Sequence, residues 1–446
     1  MIAQQRQRRG MAFIVTLWII VAMAAVAVAV SAGARTRRYH AASLRSACTA
    51  RWIERGALAY VRAALADTDG LAPDEAQLVC DGAVLGDGAF WIVRPSLTDD
   101  GQREFGLVDE GGKVDLNRAP AAVLERLPNM TPEVAAAIVD WRDTDETVTD
   151  GGAESAYYLR EADGYNAKNG PFETPLELRL VAGVDDALLY GEDHNRNGVL
   201  DPNEDDGGVT PPADNRDGAL DHGLAGLTTS FLRWPAPAQG VVAVNTASRQ
   251  QVQQALAGVL PEARATELTE QIPRRRPFPS LFHLYYRCGL TPEEFTAVEP
   301  VLTVLSEDAF RVNVNAAGSD VLRALPGVEE ADAQALLTAR QARDATASDT
   351  SLAWMLDALD QEALLEAAAA GVTGRSWQYT ADIVAVAGDG RSFRRVRYVI
   401  DASGDAPRVL HRQDLTHQGW CLDEEILSGL RAGQGVEDVV AAKKEP

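Results

Sequence analysis

Residues 6 to 20 read RQRRGMAFIVTLWII, three arginines and a glycine set against an unbroken apolar run. Met11 through Ala34 is 24 residues without a charge. As an α-helix at about 1.5 Å per residue, that run reaches roughly 36 Å, enough to cross a bilayer core of ~30 Å. Arg6, Arg8 and Arg9 precede it, and the positive-inside rule holds them in the cytoplasm, with the bulk of the chain on the far side. Arg35, Arg37 and Arg38 follow it, so the charge bias is shallow. The run is longer than the apolar core of a usual cleaved signal peptide, which favours an anchor that stays with the protein.

Working outward, AASLRSACTARWIERGALAYVRAALA (41–66) continues as an amphipathic helix, with apolar residues every three to four positions. AQLVCDGAVL, GAFWIVRP and REFGLVDE, between 76 and 109, read as short strands divided by Gly and Asp turns. WQYTADIVAVAGDGRSFRRVRYVIDAS (377–403) reads as a hairpin turning through Gly388, Asp389, Gly390 and Arg391, and PRVLHRQDL as a further strand. A sheet divided between both ends, with helices between, predicts a small α+β domain carrying an insertion. The polar, acidic segment from about 422 carries no signal of function.

The middle repeats weakly. VDLNRAPAAVLERLPNMTPEVAAAIVDWR from Val114 and VNVNAAGSDVLRALPGVEEADAQALLTAR from Val312 share a pattern, and VAVNTASRQQVQQAL from Val242 begins the same way. Asn117, Asn245 and Asn315 are expected to act as N-caps. In the first and last units two helices meet at Leu127-Pro128 and Leu325-Pro326. PFETPLELRLVAGV from Pro171 and PFPSLFHLYYRCGL from Pro277 form another related pair. These units are similar to helix-hairpin-helix modules, many of which grip DNA. Only one hairpin keeps the turn glycine (Gly327, against Asn129), and the neighbouring segments are acidic. Arg274, Arg275 and Arg276 are the main basic cluster in this region, too short to reverse that balance.

With 42 Lys and Arg against 65 Asp and Glu, the 446-residue chain carries a formal charge of −23, a field that repels nucleic acid and suits divalent cations. Its hydrophobic content of 46% fits two or three folded domains. Cys48, Cys80, Cys288 and Cys421 contain no CxxC pair, which speaks against a zinc knuckle or thioredoxin-like site. Disulfides in an exported chain and buried free thiols both stay open. Six scattered histidines make no HExxH, and P-loop and GxSxG signatures are missing, so no enzyme activity is expected.

DHNRNGVLDPNE (193–204) is the most specific chemical signal. Oxygen-bearing side chains fall at positions 1, 3, 5, 9 and 12: Asp193, Asn195, Asn197, Asp201 and Glu204. Gly198 sits at position 6, where the chain must turn, and Val199 at position 7 offers its carbonyl. This is the spacing of a calcium loop, and Ca²⁺ wants six to eight hard oxygens. The segment after the loop cannot form a helix, so the metal is expected to be structural rather than part of a sensor pair. Asp214, Asp217 and Asp221 form a further candidate metal group, beside Asn215. Asp143, Asp145, Asp150 and Glu154 form a third.

The basic leader, Gly10 and the helix beginning MAFIVTLWII resemble the leader of type IV pilins and type II secretion pseudopilins. In that family a membrane peptidase cuts after the glycine, which would make Met11 the new N terminus. The fifth mature residue there is normally Glu; here it is Val15. Protein K of the general secretion pathway, a minor pseudopilin, characteristically lacks that Glu. A subunit with no neighbour above it has no amine to neutralise, and an unpaired buried carboxylate would be costly. DEGGKVDLN (109–117), DWRDTD, Gly152-Ala153-Glu154 with Tyr157 and Tyr158, NGPFETPLELRLVAGV and FRVNVNAA follow the protein K pattern in order.

The resemblance implies an α+β, pilin-like fold: a long N-terminal helix and a small antiparallel sheet, with a large inserted all-α domain containing helix-hairpin-helix-like repeats. The expected divisions are a basic leader (1–10), a transmembrane or filament helix (11–34), a first pilin-like part (35–112), the inserted domain with the calcium loop (113–304), a second pilin-like part (305–415) and an acidic tail (416–446). It further implies a single-pass inner-membrane protein with a periplasmic bulk, capping the pseudopilus tip. Its partners would be the other minor pseudopilins (I and J type), the inner-membrane assembly platform and the prepilin peptidase, and Ca²⁺ would sit in the inserted domain. The alternative is a membrane-anchored, competence-type DNA-binding protein. Replacing Gly10 with Leu is expected to leave the ten-residue leader attached, read by mass spectrometry of the N terminus; unchanged processing would contradict the pseudopilin reading.

Overall fold

The computed structural model describes residues 2–74, 76–96, 103–235, 240–304, 306, 308–343 and 350–442, with side chains from residue 13. Gly10 and Met11 lie in the helix backbone, but their side chains fall outside that range, as do residue 305 and the tail's last four residues.

One helix, Ile2–Asp67, begins the chain. It is long and apolar enough to cross a membrane, and its most apolar window has a mean hydropathy of 2.8. Phe13, Ile14, Trp18 and Ile20 project outward with no protein against them. Further along, Ile53, Ala57, Val61, Ala64 and Leu65 recur at helical spacing and are buried on the sheet. The same helix is thus lipophilic all round at one end and amphipathic at the other.

The sheet is antiparallel and runs in the order Ala83–Val84, Gly88–Pro95, Gln378–Ala387, Phe393–Asp401, Arg408–Asp414, with Arg103–Phe105 and Val108–Asp109 pairing onto the second and third strands. AQLVCDGAVL therefore contributes only two strand residues. The central strand, Gln378–Ala387, is buried at every position. Alternation divides its side chains between two faces. Tyr379, Ala381, Ile383 and Ala385 meet the N-terminal helix with Phe90 and Ile92. Val384 and Val386, with Trp91 and Val93, meet a second layer.

That layer is the supposed tail. Helices Glu424–Arg431 and Val436–Ala441 place Cys421, Leu422, Ile426, Leu427, Leu430, Val439 and Val440 against the sheet. The acidic composition hid an apolar stripe that the sheet's second face needs.

Between the two groups of strands lie three units, each closed by a two-residue parallel bridge: Val114–Asp115 with Thr228–Thr229, Val242–Ala243 with Leu302–Thr303, and Val312–Asn313 with Val372–Thr373. After each opening bridge comes a helix pair: Ala121–Leu124 and Pro132–Arg142, Arg249–Ala257 and Glu262–Arg275, Ser319–Arg323 and Glu330–Ala342. An arginine at the end of each pair returns to the opening turn. Arg142 donates to the carbonyl of Ala119 at 2.6 Å, Arg276 to Ala247 at 2.8 Å and Arg340 to Ala317 at 2.6 Å.

The repeated asparagines are not N-caps; Pro120, Ser248 and Gly318 hold those positions. Asn117 and Asn245 instead make two-point contacts with distant backbone. Asn117 accepts from the Phe172 N–H at 2.6 Å and donates to its carbonyl at 3.0 Å. Asn245 does the same with Phe278, at 2.8 Å each way. These contacts tie each VxxN opening to its own Pro-Phe segment. Asn315 donates to the Gly374 carbonyl and accepts from the Trp354 indole at 3.1 Å each.

The first and third units share one core, running from Val114 to Leu227 and from Phe310 to Val372. The second unit packs mainly around its own, from Val244 to Leu302. The boundary expected at 305 is therefore displaced: the helical core continues to Val372, and the sheet resumes at Gln378. Of VNVN (312–315), only Val312 and Asn313 pair as strand. All four cysteines are free thiols, with Cys288 and Cys421 buried.

Asn245→Ala, which strands an amide and a carbonyl on Phe278, is expected to cost roughly 2 kcal/mol. Ser248→Ala, which removes a helix cap, is expected to cost ~1 kcal/mol. Denaturant unfolding of the full chain in detergent checks the order, and the reverse order would restore the capping role to Asn245.

Candidate metal centre

The loop begins just after helix Asp186–Tyr190, which ends at Gly191. Local side-chain-to-backbone bonds shape it, the usual behaviour of Asp and Asn in turns. Asp193 accepts from the N–H groups of Asn197 at 2.9 Å and Gly198 at 3.0 Å. Asn195 Oδ1 accepts from Asn197 N–H at 2.9 Å, and Asn197 Oδ1 from Val199 N–H at 2.8 Å. Glu204 folds back to accept from His194 N–H and Asp201 N–H, both at 3.1 Å. The Nδ2 groups of Asn195 and Asn197 donate to Asp201 Oδ2 at 2.6 and 2.8 Å. All five side chains thus belong to one hydrogen-bonded set. Rotating either amide exchanges donor for acceptor, so both can present an oxygen to a cation.

Burial gives this set its electrostatic character. Glu204 is 1% exposed, and burial, with Asp193 and Asp201 nearby, pushes its carboxyl up to about 7. Burial also raises Asp193 above the ordinary carboxylate range. The Val199 side chain is buried. Crowded, dehydrated carboxylates with only oxygen donors fit a hard divalent cation.

The loop also docks on the sheet. Gly198 has φ of +70°, and a Cβ there would lie 2.5 Å from Pro95 Cβ, so a side chain would both strain the turn and separate it from the strand. The wholly buried Arg395 donates to both oxygens of Asp382, at 3.2 and 2.9 Å. Two further N–H groups reach the carbonyls of Asn195, at 2.7 Å, and Arg196. Arg397 bridges Asp382 and the Arg196 carbonyl at 2.8 and 3.1 Å. Burial alone would raise Asp382, but the two guanidiniums hold its carboxyl below the usual range. Sequence reading missed this clamp, because its halves lie about two hundred residues apart.

The second candidate group is placed differently. Asp214 accepts from Gly207, Gly208 and Arg216 N–H groups, and Asp217 from Ala219 N–H. Asp221 accepts from Asn215 Nδ2 and lies beside Glu192, a buried carboxylate that accepts from the Asn215 and Asp221 N–H groups. Glu192 went unnoticed because it stands one residue before the loop's first position. In the third group, Asp145 and Asp150 are exposed, while Asp143 and Glu154 meet Asp140. Asp140 was not among the sequence candidates and is wholly buried.

The family model for type II secretion system protein K matches residues 117–190, a stretch that includes Asp140, Asp143 and Glu154 and ends just before the loop. The type II secretion system protein K of Klebsiella pneumoniae is 29% identical over 200 residues, covering 41% of this chain and 60% of that relative, less than two thirds of its length. A chain of the crystallised GspK-GspI-GspJ complex of the type 2 secretion system of enterotoxigenic Escherichia coli aligns with 12% identity and a TM-score of 0.42, over 85% of this chain and 98% of that one.

Calcium added after chelation is expected to raise the melting midpoint of the full chain in detergent, by an amount that grows with calcium concentration. The double variant Asp193→Asn, Glu204→Gln should show a smaller rise. A midpoint indifferent to calcium would exclude metal at the loop.

Proposed function

We propose that this chain, which carries the protein K domain of type II secretion systems, works as a minor pseudopilin that caps the tip of the periplasmic pseudopilus. The observation that carries the reading is the single helix Ile2–Asp67, apolar and bare over residues 13–34 and packed on the sheet from Ile53 to Leu65. Such a helix can enter a bundle of like helices, or a bilayer, while its other end holds a folded body. A bulky body above the sheet would block addition of a further subunit, and Val15 would leave no carboxylate seeking a neighbour's amine. The work is assembly rather than catalysis. The I- and J-type minor pseudopilins are the proposed partners, with the assembly platform and prepilin peptidase acting earlier. Calcium at Asp193–Glu204 would order the loop, and through Arg395 hold the helical units to the sheet.

Two observations disfavour DNA capture. The turn glycine Gly327, where a phosphate would have to approach, is packed on helix Gln361–Gly371: a Cβ there would lie 2.8 Å from Glu366 Cβ. Arg126 of the first unit also closes on this same turn, donating to the Val328 and Arg323 carbonyls at 2.5 and 2.9 Å.

Co-expression of the full chain with the I- and J-type proteins of the same organism, followed by capture in mild detergent with calcium, is expected to recover all three together. Recovery of this chain alone would overturn the reading, as would a salt-sensitive mobility shift of DNA by the full chain.

A further inference from the structure

Tyr157 and Tyr158 end the short helix Ser155–Tyr158, and Tyr165 stands on the irregular segment that follows. With Glu161, Asp163 and the 181–183 turn, they line a cleft of about 340 Å³. That is near the lower end of ligand-sized pockets, room for one long side chain. The rings are held in place. Tyr158 accepts from the Ala182 N–H at 3.2 Å, and Tyr165 donates to the Leu180 carbonyl at 2.9 Å. Their rings stack with centroids 5.3 Å apart, and Trp141 packs edge-on to both. Tyr157 packs edge-on to Tyr158 and is 44% exposed.

The cleft is negative and holds no cation of its own. Glu161 and Asp163 join no ion pair among the described residues, and the lining contains no lysine or arginine. Lys168 is committed to Glu177 at 2.7 Å and Arg179 to Asp186 at 3.3 Å, while Arg160 does not line the cleft. Burial raises the Tyr165 phenol, with Glu161 and Tyr157 adding to the effect, and burial pushes Tyr158 up to about 12. Both rings therefore stay neutral at ordinary pH. Elsewhere the chain covers its own rings with arginine: Arg196 lies 4.5 Å from the Tyr190 ring centre, Arg343 5.3 Å from that of Trp354 and Arg412 5.8 Å from that of Tyr398. Among the described residues, no arginine or lysine lies over Tyr157, Tyr158 or Tyr165 in this way.

We propose that this cleft is a docking site for an arginine side chain presented by a basic segment of another protein. The face of an aromatic ring attracts a cation within about 6 Å of its centre, and two unpaired carboxylates in the same lining add to that attraction. Guanidinium suits the site better than ammonium. It is planar, so it stacks on rings; its donor fork matches a carboxylate; and it gives up its water more readily. Leu159 and Leu180, each next in sequence to a lining residue, are exposed and offer apolar surface to the residues flanking that arginine. The chain's formal charge of −23 draws a basic segment in from a distance. The site requires only the cleft's own chemistry and goes beyond the pseudopilin role, which does not specify it.

The test uses the full chain at fixed calcium in a maltoside detergent, whose headgroup carries no cation to compete for the rings. The probe is an amidated Gly-Leu-Arg-Leu-Gly peptide bearing a neutral fluorophore, read by anisotropy, beside versions with citrulline or lysine at the centre. The arginine peptide is expected to bind about tenfold more tightly than the citrulline peptide, which has the same shape without the charge, and more tightly than the lysine peptide. Tyr157→Leu and the double variant Glu161→Gln, Asp163→Asn should each weaken it about fivefold, with Tm unchanged because all three residues are exposed. Tyr157→Phe, which keeps the ring, should bind as the unaltered chain does. Failure of the arginine peptide to bind, equal binding of the citrulline peptide, or undiminished binding by Tyr157→Leu and the carboxylate variant would each overturn the proposal. Equal binding of the lysine peptide would overturn the assignment to arginine. Self-association of the chain that Tyr157→Leu abolishes would put one of its own arginines in the cleft and overturn the assignment to another protein.

Discussion

The ion pair of Asp382 and Arg395 is enclosed between the sheet and the 193–204 loop, and it is complete only when both are present. Transferring two charges out of water is expensive, and their mutual attraction compensates only when the remaining donors and acceptors are satisfied. Asp382 uses one edge of the Arg395 guanidinium, and the carbonyls of Asn195 and Arg196 take two further N–H groups. Without the loop, the arginine would hold unmet N–H groups in a buried place. Without the arginine, those two carbonyls would face the sheet with a partner lost. The central strand, drawn from the end of the sequence, and the loop, drawn from its middle, therefore specify each other's position.

This constraint organises the covering of the sheet. Asp382 shares strand parity with Val384 and Val386, so all three point away from the N-terminal helix. The C-terminal helices cover the apolar part of that face, and the loop covers the charged part. Gly198 lets the loop backbone close on Pro95, where a side chain would hold it off. The buried Glu110 makes a second joint: it accepts from Thr229 at 2.6 Å in the first helical unit, from Thr380 at 2.7 Å in the central strand, and from Lys113 at 2.7 Å. Charged groups thus form the seams where the helical units meet the sheet, while apolar groups fill each body.

Much of this was legible wherever the physical cause is local. The N-terminal helix is written in an uninterrupted apolar run followed by a 3.6-residue period. The hairpin of Gln378–Ala387 and Phe393–Asp401 is written in alternation about Gly388–Arg391. The loop donors are gathered by hydrogen bonds spanning two to ten residues, so their spacing alone brought them together. The asparagine repeats were visible, but their role was not: an Asn before a helix resembles a cap, and only the folded chain shows Asn117 and Asn245 reaching Phe172 and Phe278. The end segment was hidden by composition, since acidic residues are interleaved with the apolar ones that contact the sheet.

The sequence by itself determined the elements whose stabilising contacts lie within one or two turns of chain: the long apolar helix, the hairpin, the helix pairs and the oxygen spacing of the 193–204 loop. The tertiary structure alone decided which distant groups share a buried space. It brought Asp140 to Glu154, extended the helical core past 305 to Val372, laid the last two helices on the sheet and set Arg395 against the loop. The reason is physical: burial, and the charge interactions it strengthens, depend on what surrounds a residue in three dimensions, and neighbours along the chain fix only a small part of that surrounding.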